Sequence, residues 1–120
     1  MTNEKRAFVR LAFPLDTKIQ ATLVPVQGKS AEVSARVLNI SQGGLGFAAV
    51  KSHNYTLEEE VEMILQSITG EERLLCLKGQ VVKIKWILNS DIFNNLGVGC
   101  EFVELSEECF ELIGRLCNGS

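Results

Sequence analysis

Asn39-Ile40-Ser41-Gln42-Gly43-Gly44-Leu45-Gly46-Phe47 lies between two strand-like runs. Val33, Ala35 and Val37 alternate into it, and Leu45 to Val50 carries the chain out. Period-two alternation of this kind places one face of a strand against a core. Asn39 and Ser41 have side-chain oxygens that bond nearby backbone and hold a turn. Gly43 and Gly44 offer positive φ and let another group come close to the backbone. By itself the stretch is a well-made β-turn. A second cluster, Arg6-Ala7-Phe8-Val9-Arg10, adds a possible partner for it. Residues four apart share a face on a helix and on a strand alike, so both guanidinium groups can reach one site. Taken alone, that cluster reads equally as a solvated basic arm.

Composition narrows the classes of function. A chain of 120 residues with 46% hydrophobic content is one domain, 1–120, with enough apolar side chain for a core. No apolar run approaches the ~20 residues of a membrane span, and the polar segment after Met1 is unlike a signal peptide. The net charge is −3 and the isoelectric point about 5.2. Binding a nucleic-acid polymer requires many phosphate-facing cations, which this balance disfavours. Lys5, Arg6 and Arg10 nevertheless form a local basic patch, while the carboxylates gather in 58–62, 71–72 and 101–111. That distribution suits a small anionic ligand. The four cysteines, Cys76, Cys100, Cys109 and Cys117, form no CxxC pair, and His53 is the single histidine. Zinc spacing is absent, and no metal or cofactor is expected. Buried, reduced thiols are expected, which fits a cytoplasmic location. His53 reads as a surface-loop residue. With no nucleophile–base pair in view, the chain is not read as an enzyme.

In order, Thr17–Val26, Ala31–Ile40, Leu45–Val50, Glu60–Ile68, Arg73–Leu88 and Leu96–Val103 read as strands. In the fifth, Leu75, Leu77, Val81 and Ile87 share one parity, and Leu74, Cys76, Val82, Ile84 and Trp86 the other. Gly79 marks a bulge or tight bend there. The period then becomes helical, at Leu105, Cys109, Leu112, Ile113 and Leu116. Ser106 is the expected N-cap, Glu107 and Glu108 suit the first turn, and Gly119 lies past the end. Six short strands and a helix over 106–117 predict a mainly β domain, a small antiparallel barrel or sandwich.

Read together, Arg6-x-x-x-Arg10 and Asn39-x-Ser41-x-x-Gly44, with 28 residues between them, resemble the paired RxxxR and [D/N]xSxxG signature of the PilZ domain family. Phe8 between the arginines, Gly46-Phe47 after the second motif, Trp86, and Gly97-x-Gly-Cys-Glu-Phe102 before a Leu-rich helix agree with it. The resemblance covers about residues 4–117. It implies a six-stranded antiparallel β-barrel (the PilZ split barrel) over 13–104, a C-terminal α-helix over 106–117, and an arginine-bearing flexible arm over 1–12.

The resemblance also implies a ligand, the bacterial second messenger cyclic di-GMP. Its two phosphates and two guanines match what arginine recognises, because a guanidinium can fork onto phosphate or guanine O6/N7, or stack on a purine. Carried over, Arg6 and Arg10 hold phosphate and guanine. Asn39 and Ser41 take the guanine edge, and Gly43 and Gly44 let the backbone approach the base. Many members have Asp where this chain has Asn39. An amide accepts with one oxygen only, so a change in affinity is expected. Trp86 either stacks near a guanine or is a half-buried barrel residue. Lys5 either adds a phosphate contact or is solvated. The implied role is a non-catalytic receptor that orders its arm on binding and signals to a protein partner in motility, biofilm or exopolysaccharide control. The alternative is an interaction module with the same fold that binds no nucleotide.

Overall fold

A computed structural model describes residues 9–13, 18–26, 32–50, 55–69, 72–89 and 95–119. The strands are β1 (Leu11–Ala12), β2 (Lys18–Pro25), β3 (Val33–Ile40), β4 (Gly44–Val50), β5 (Glu60–Thr69), β6 (Val81–Asn89) and β7 (Asn95–Phe102). A 3₁₀ helix, Glu72–Leu77, lies between β5 and β6, and the α-helix α1, Glu107–Cys117, follows β7.

Every pairing is antiparallel, and the neighbours run β3-β2-β5-β6-β7-β4, with β4 returning to β3. That ring is the expected six-stranded barrel. β1 adds two residues beside β3, on the side where β2 also pairs. Closure leaves few free backbone edges and needs strongly bent strands. Register shifts supply the bends between Gln20 and Ala21 in β2–β5, Val37 and Asn39 in β3–β4, and Ile84 and Trp86 in β6–β7.

Inside the barrel, Ile19, Ile40, Phe47, Met63, Val82, Ile84 and Val98 are almost wholly buried. α1 contributes Cys109 and Ile113 to the same core. Its start is built as expected: Ser106 Oγ accepts from Cys109 N at 3.1 Å, with Glu107 and Glu108 in the first turn.

Two expectations are corrected. Residues 73–88 are not one strand. In a 3₁₀ helix, side chains three apart eclipse one another. Leu74 and Leu77 therefore both enter the core, while Leu75 is 56% exposed. Gly79, at φ 77°, then turns the chain into β6. The cysteines are also not all reduced. Cys76 of the 3₁₀ helix and Cys109 of α1 form a disulfide, and Cys100 and Cys117 are free. The bond removes the reduced-thiol argument for a cytoplasmic location. The loop containing His53 lies outside the described residues.

Candidate ligand-binding site

β1 pairs the residues that follow the first cluster with the start of the second. Its register on β3 is Leu11↔Ile40 and Ala12↔Asn39, and Phe13 N donates to Leu38 O at 2.9 Å. Arg10 directly precedes Leu11, and Ser41 directly follows its partner Ile40. Arg10 is exposed. Lys5 and Arg6, and with them most of the 1–12 arm, lie outside the described residues.

The turn between β3 and β4 is shorter than its sequence suggests. Asn39 and Gly44 belong to strands, and only Ser41, Gln42 and Gly43 connect them. Ser41 N donates to Gly44 O at 2.8 Å, Gly43 N to Ser41 Oγ at 3.2 Å, and Phe102 N to Gly43 O at 3.0 Å. The Ser41 side chain thus holds the turn, as its type foretold. Positive φ is not what Gly43 and Gly44 supply; among the described glycines it falls at Gly79 and Gly119. Gly44 is required by close approach, because a Cβ there would collide with the Cys100 carbonyl of β7.

Asn39 and Trp86 reach the outer face of the barrel through two bulges. In β3, Val37 pairs with Phe47 and Asn39 with Gly46, which leaves Leu38 as the extra residue. In β6, Ile84 pairs with Cys100 and Trp86 with Gly99, which leaves Lys85 extra. Each bulge reverses the inward–outward parity. Trp86 consequently faces outward at 40% exposure, although it shares sequence parity with the buried Ile84.

The registers join these residues into one row across the barrel: Asn39↔Gly46, Gly46↔Gly99 and Gly99↔Trp86. A Cβ on Gly46 would stand 2.9 Å from Asn39 Oδ1, so the amide lies over that glycine. A Cβ on Gly99 would collide with the indole ring of Trp86, so the ring lies flat there. An amide and an aromatic face are thereby brought onto two directly paired residues, and Asn39 at one end of the row pairs with Ala12 of β1, two residues after Arg10. Chemically, the row offers hydrogen bonds and a stacking surface, and Arg10 offers a cation.

Gly46 and Gly99 are the parts of this row that sequence reasoning did not place in the site. A signal was present, since Gly97 and Gly99 are two apart and share a face of a strand. Beneath the row, burial pushes the Cys100 thiol up to about 12. Among the described residues, no group of three or more His, Cys, Asp or Glu could hold a metal ion.

Comparison with known proteins adds the following. A family model described as PilZ domain matches residues 4–119. No curated protein sequence matches the chain. Among solved structures, the Bacillus subtilis inhibitor of motility MotI/DgrA is similar, with a TM-score of 0.68 and 15% identity, covering 97% of this chain and 51% of that one. The PilZ domain of YcgR from Escherichia coli, solved with c-di-GMP, has a TM-score of 0.65 and 12% identity, covering 97% and 91%. MrkH, described as a c-di-GMP-dependent transcription regulatory factor, has a TM-score of 0.68 and 14% identity, covering 97% and 51%. The chain therefore spans about half the length of MotI and MrkH. At these identities the likeness to the solved structures is one of fold. No described helix is long and apolar enough to cross a membrane.

Proposed function

Because this chain belongs to the PilZ domain family, we propose that it is a non-catalytic receptor for cyclic di-GMP, held through Arg6, Arg10, Asn39, Ser41, Gly43 and Gly44. The observation that carries this reading is the β1–β3 pairing. It sets Leu11, the residue after Arg10, opposite Ile40 of the second motif, although 28 residues separate the two motifs in the chain. A dianionic ligand with two purines needs both charge and a flat or hydrogen-bonding surface, which Arg10 and the Asn39–Trp86 row would supply.

In this reading Arg10 forks onto a phosphate or a guanine edge. Asn39 Oδ1 accepts from a guanine N–H, and Trp86 stacks on a base. Lys5 adds a phosphate contact. The ligand would order the arginine-bearing arm ahead of β1 against the barrel and present a changed surface to a protein partner. Control of motility, biofilm or exopolysaccharide by that partner, and a cytoplasmic location, belong to the same proposal. MotI is an inhibitor of motility by its description, and the YcgR domain was solved with this ligand.

Calorimetric titration of the purified chain with cyclic di-GMP, with GTP as control, tests the proposal. Saturable binding that is lost in Arg6→Ala/Arg10→Ala is expected, and its stoichiometry will distinguish one ligand from a stacked pair. Absence of heat and of competition at high ligand would overturn it in favour of a partner-binding module that takes no nucleotide.

A further inference from the structure

Gln42 occupies a variable position of the Asn39-x-Ser41-x-x-Gly44 motif, yet it makes a contact spanning most of the chain. Its Nε2 donates to Phe110 O of α1 at 2.9 Å. One turn further along α1, Gly114 is buried, and a Cβ built on it would collide with Gln42 Nε2 and stand 2.9 Å from Cδ. Glycine is the poorest helix former other than proline, and an interior position of an exposed-faced helix ordinarily favours alanine. Here the missing Cβ is the seat of the Gln42 carboxamide. The Gly114 carbonyl is engaged as well, accepting from Asn118 Nδ2 at 2.7 Å. Gln42, Glu111, Gly114, Arg115 and Asn118 line an open cleft of about 330 Å³ between the turn and the helix.

The last residue of α1 touches the other side of the same site. Cys117 Sγ donates to Ile40 O at 3.5 Å, and it also lies against the Leu11 backbone. Leu11 and Ile40 are paired residues, and they directly follow Arg10 and directly precede Ser41. One face of α1 is therefore in contact with the second motif and with the residue that follows the first.

We propose that Gln42, seated on Gly114, is a positioning residue through which the docking of α1 sets the geometry of the Ser41–Gly43 turn and hence its affinity for ligand. This rests on the cyclic di-GMP reading for its ligand, but the coupling of turn to helix does not. By linkage, whatever holds α1 in place strengthens ligand binding, and ligand binding tightens α1 by the same factor. α1 thereby becomes the element through which a bound ligand is reported to a partner.

The test compares Gly114→Ala, Gln42→Met and their double variant with wild type. Gly114→Ala keeps the helix, since its new methyl displaces only the end of a long side chain. Gln42→Met keeps the length and removes the N–H donor without adding a charge. Cyclic di-GMP affinity is expected to fall about 3–10-fold in each single variant, the equivalent of one neutral hydrogen bond, and no further in the double. The melting temperature of Gly114→Ala is expected to hold or rise. A general loss of stability would not give that combination. Amide hydrogen exchange supplies a readout that needs no ligand: Ser41 N–H and Phe102 N–H, which bond across the turn, are expected to exchange faster in both single variants. Unchanged affinity and unchanged exchange would overturn the proposal. If wild type binds no cyclic di-GMP, the ligand reading fails. Exchange then decides the coupling alone: faster turn amides support it, and unchanged ones overturn it.

Discussion

At the scale of single residues, the site depends on side chains that are present and on Cβ atoms that are not. Arg10 is exposed and directly precedes Leu11, the partner of Ile40. In the proposed complex its guanidinium makes charge-assisted bonds, so Arg10→Ala is expected to weaken cyclic di-GMP binding by about 1.5–3 kcal/mol while leaving the fold intact. Titration of the variant beside its melting curve checks both halves. Gly44 behaves in the opposite way. Its missing Cβ would meet the backbone carbonyl of Cys100, which cannot step aside as a side chain can. Gly44→Ala is expected to cost about 1–3 kcal/mol of stability from forced backbone shifts, measurable by urea denaturation without any ligand. The residue types at 10, 39, 41 and 44 were legible from the motifs. The reason for Gly44 was not, because the carbonyl it makes room for lies 56 residues away in the chain.

At the scale of elements, α1 is fastened at three places. Cys109, near its start, is bonded to Cys76 of the 3₁₀ helix, 33 residues earlier. Gln42 and Ile40 hold it at the middle and end. Closing a loop of that length restricts the unfolded chain by about 3–4 kcal/mol in the chain-entropy model. Dithiothreitol, or Cys76→Ala, is expected to lower stability by roughly that amount, and the intact mass should show two thiol hydrogens missing before reduction. Equal stability with and without reductant would show that the bond contributes nothing. The helix was legible in full, down to its Ser106 cap, because capping and a 3.6-residue period are local properties. The 3₁₀ helix was not. Its Leu74-Leu75-Cys76-Leu77 run is apolar throughout, and a continuous apolar run has no period to read.

At the scale of the whole molecule, the barrel sets the response to pH. Cys100 ionises near its ordinary 9.0 in the unfolded chain, and burial holds it back to about 12 in the folded one. Between those values the unfolded chain releases a proton that the folded chain keeps. Stability fully present below pH 9.0 is therefore lost as pH rises, by about 1.4 kcal/mol per unit. Tyr55, raised by burial from 10.0 to about 12, acts in the same direction further up. Urea denaturation from neutral pH upward is expected to show this decline, and Cys100→Ala should flatten it. On the acid side, Lys85 Nζ at 2.8 Å holds the Glu58 carboxyl below its usual range. That contribution is present at neutral pH and is lost as pH falls through the lowered value. Both side chains are well exposed, so its loss is a small part of any acid unfolding.

The sequence alone determined the class of fold, the helix and its cap, and the two motifs on which the proposed ligand rests. Each of these is written in local periodicity or in residue type at short spacing. Tertiary structure decided which way several side chains face. A bulge adds one residue to one strand and reverses the parity of all that follow, and nothing in the local pattern marks Leu38 or Lys85 as the extra residue. Only the closed barrel reveals that Asn39 and Trp86 lie over directly paired glycines, that Cys76 meets Cys109, and that Gly114 is the seat of Gln42. These are relations between strands and helices far apart in the chain, set by register and packing.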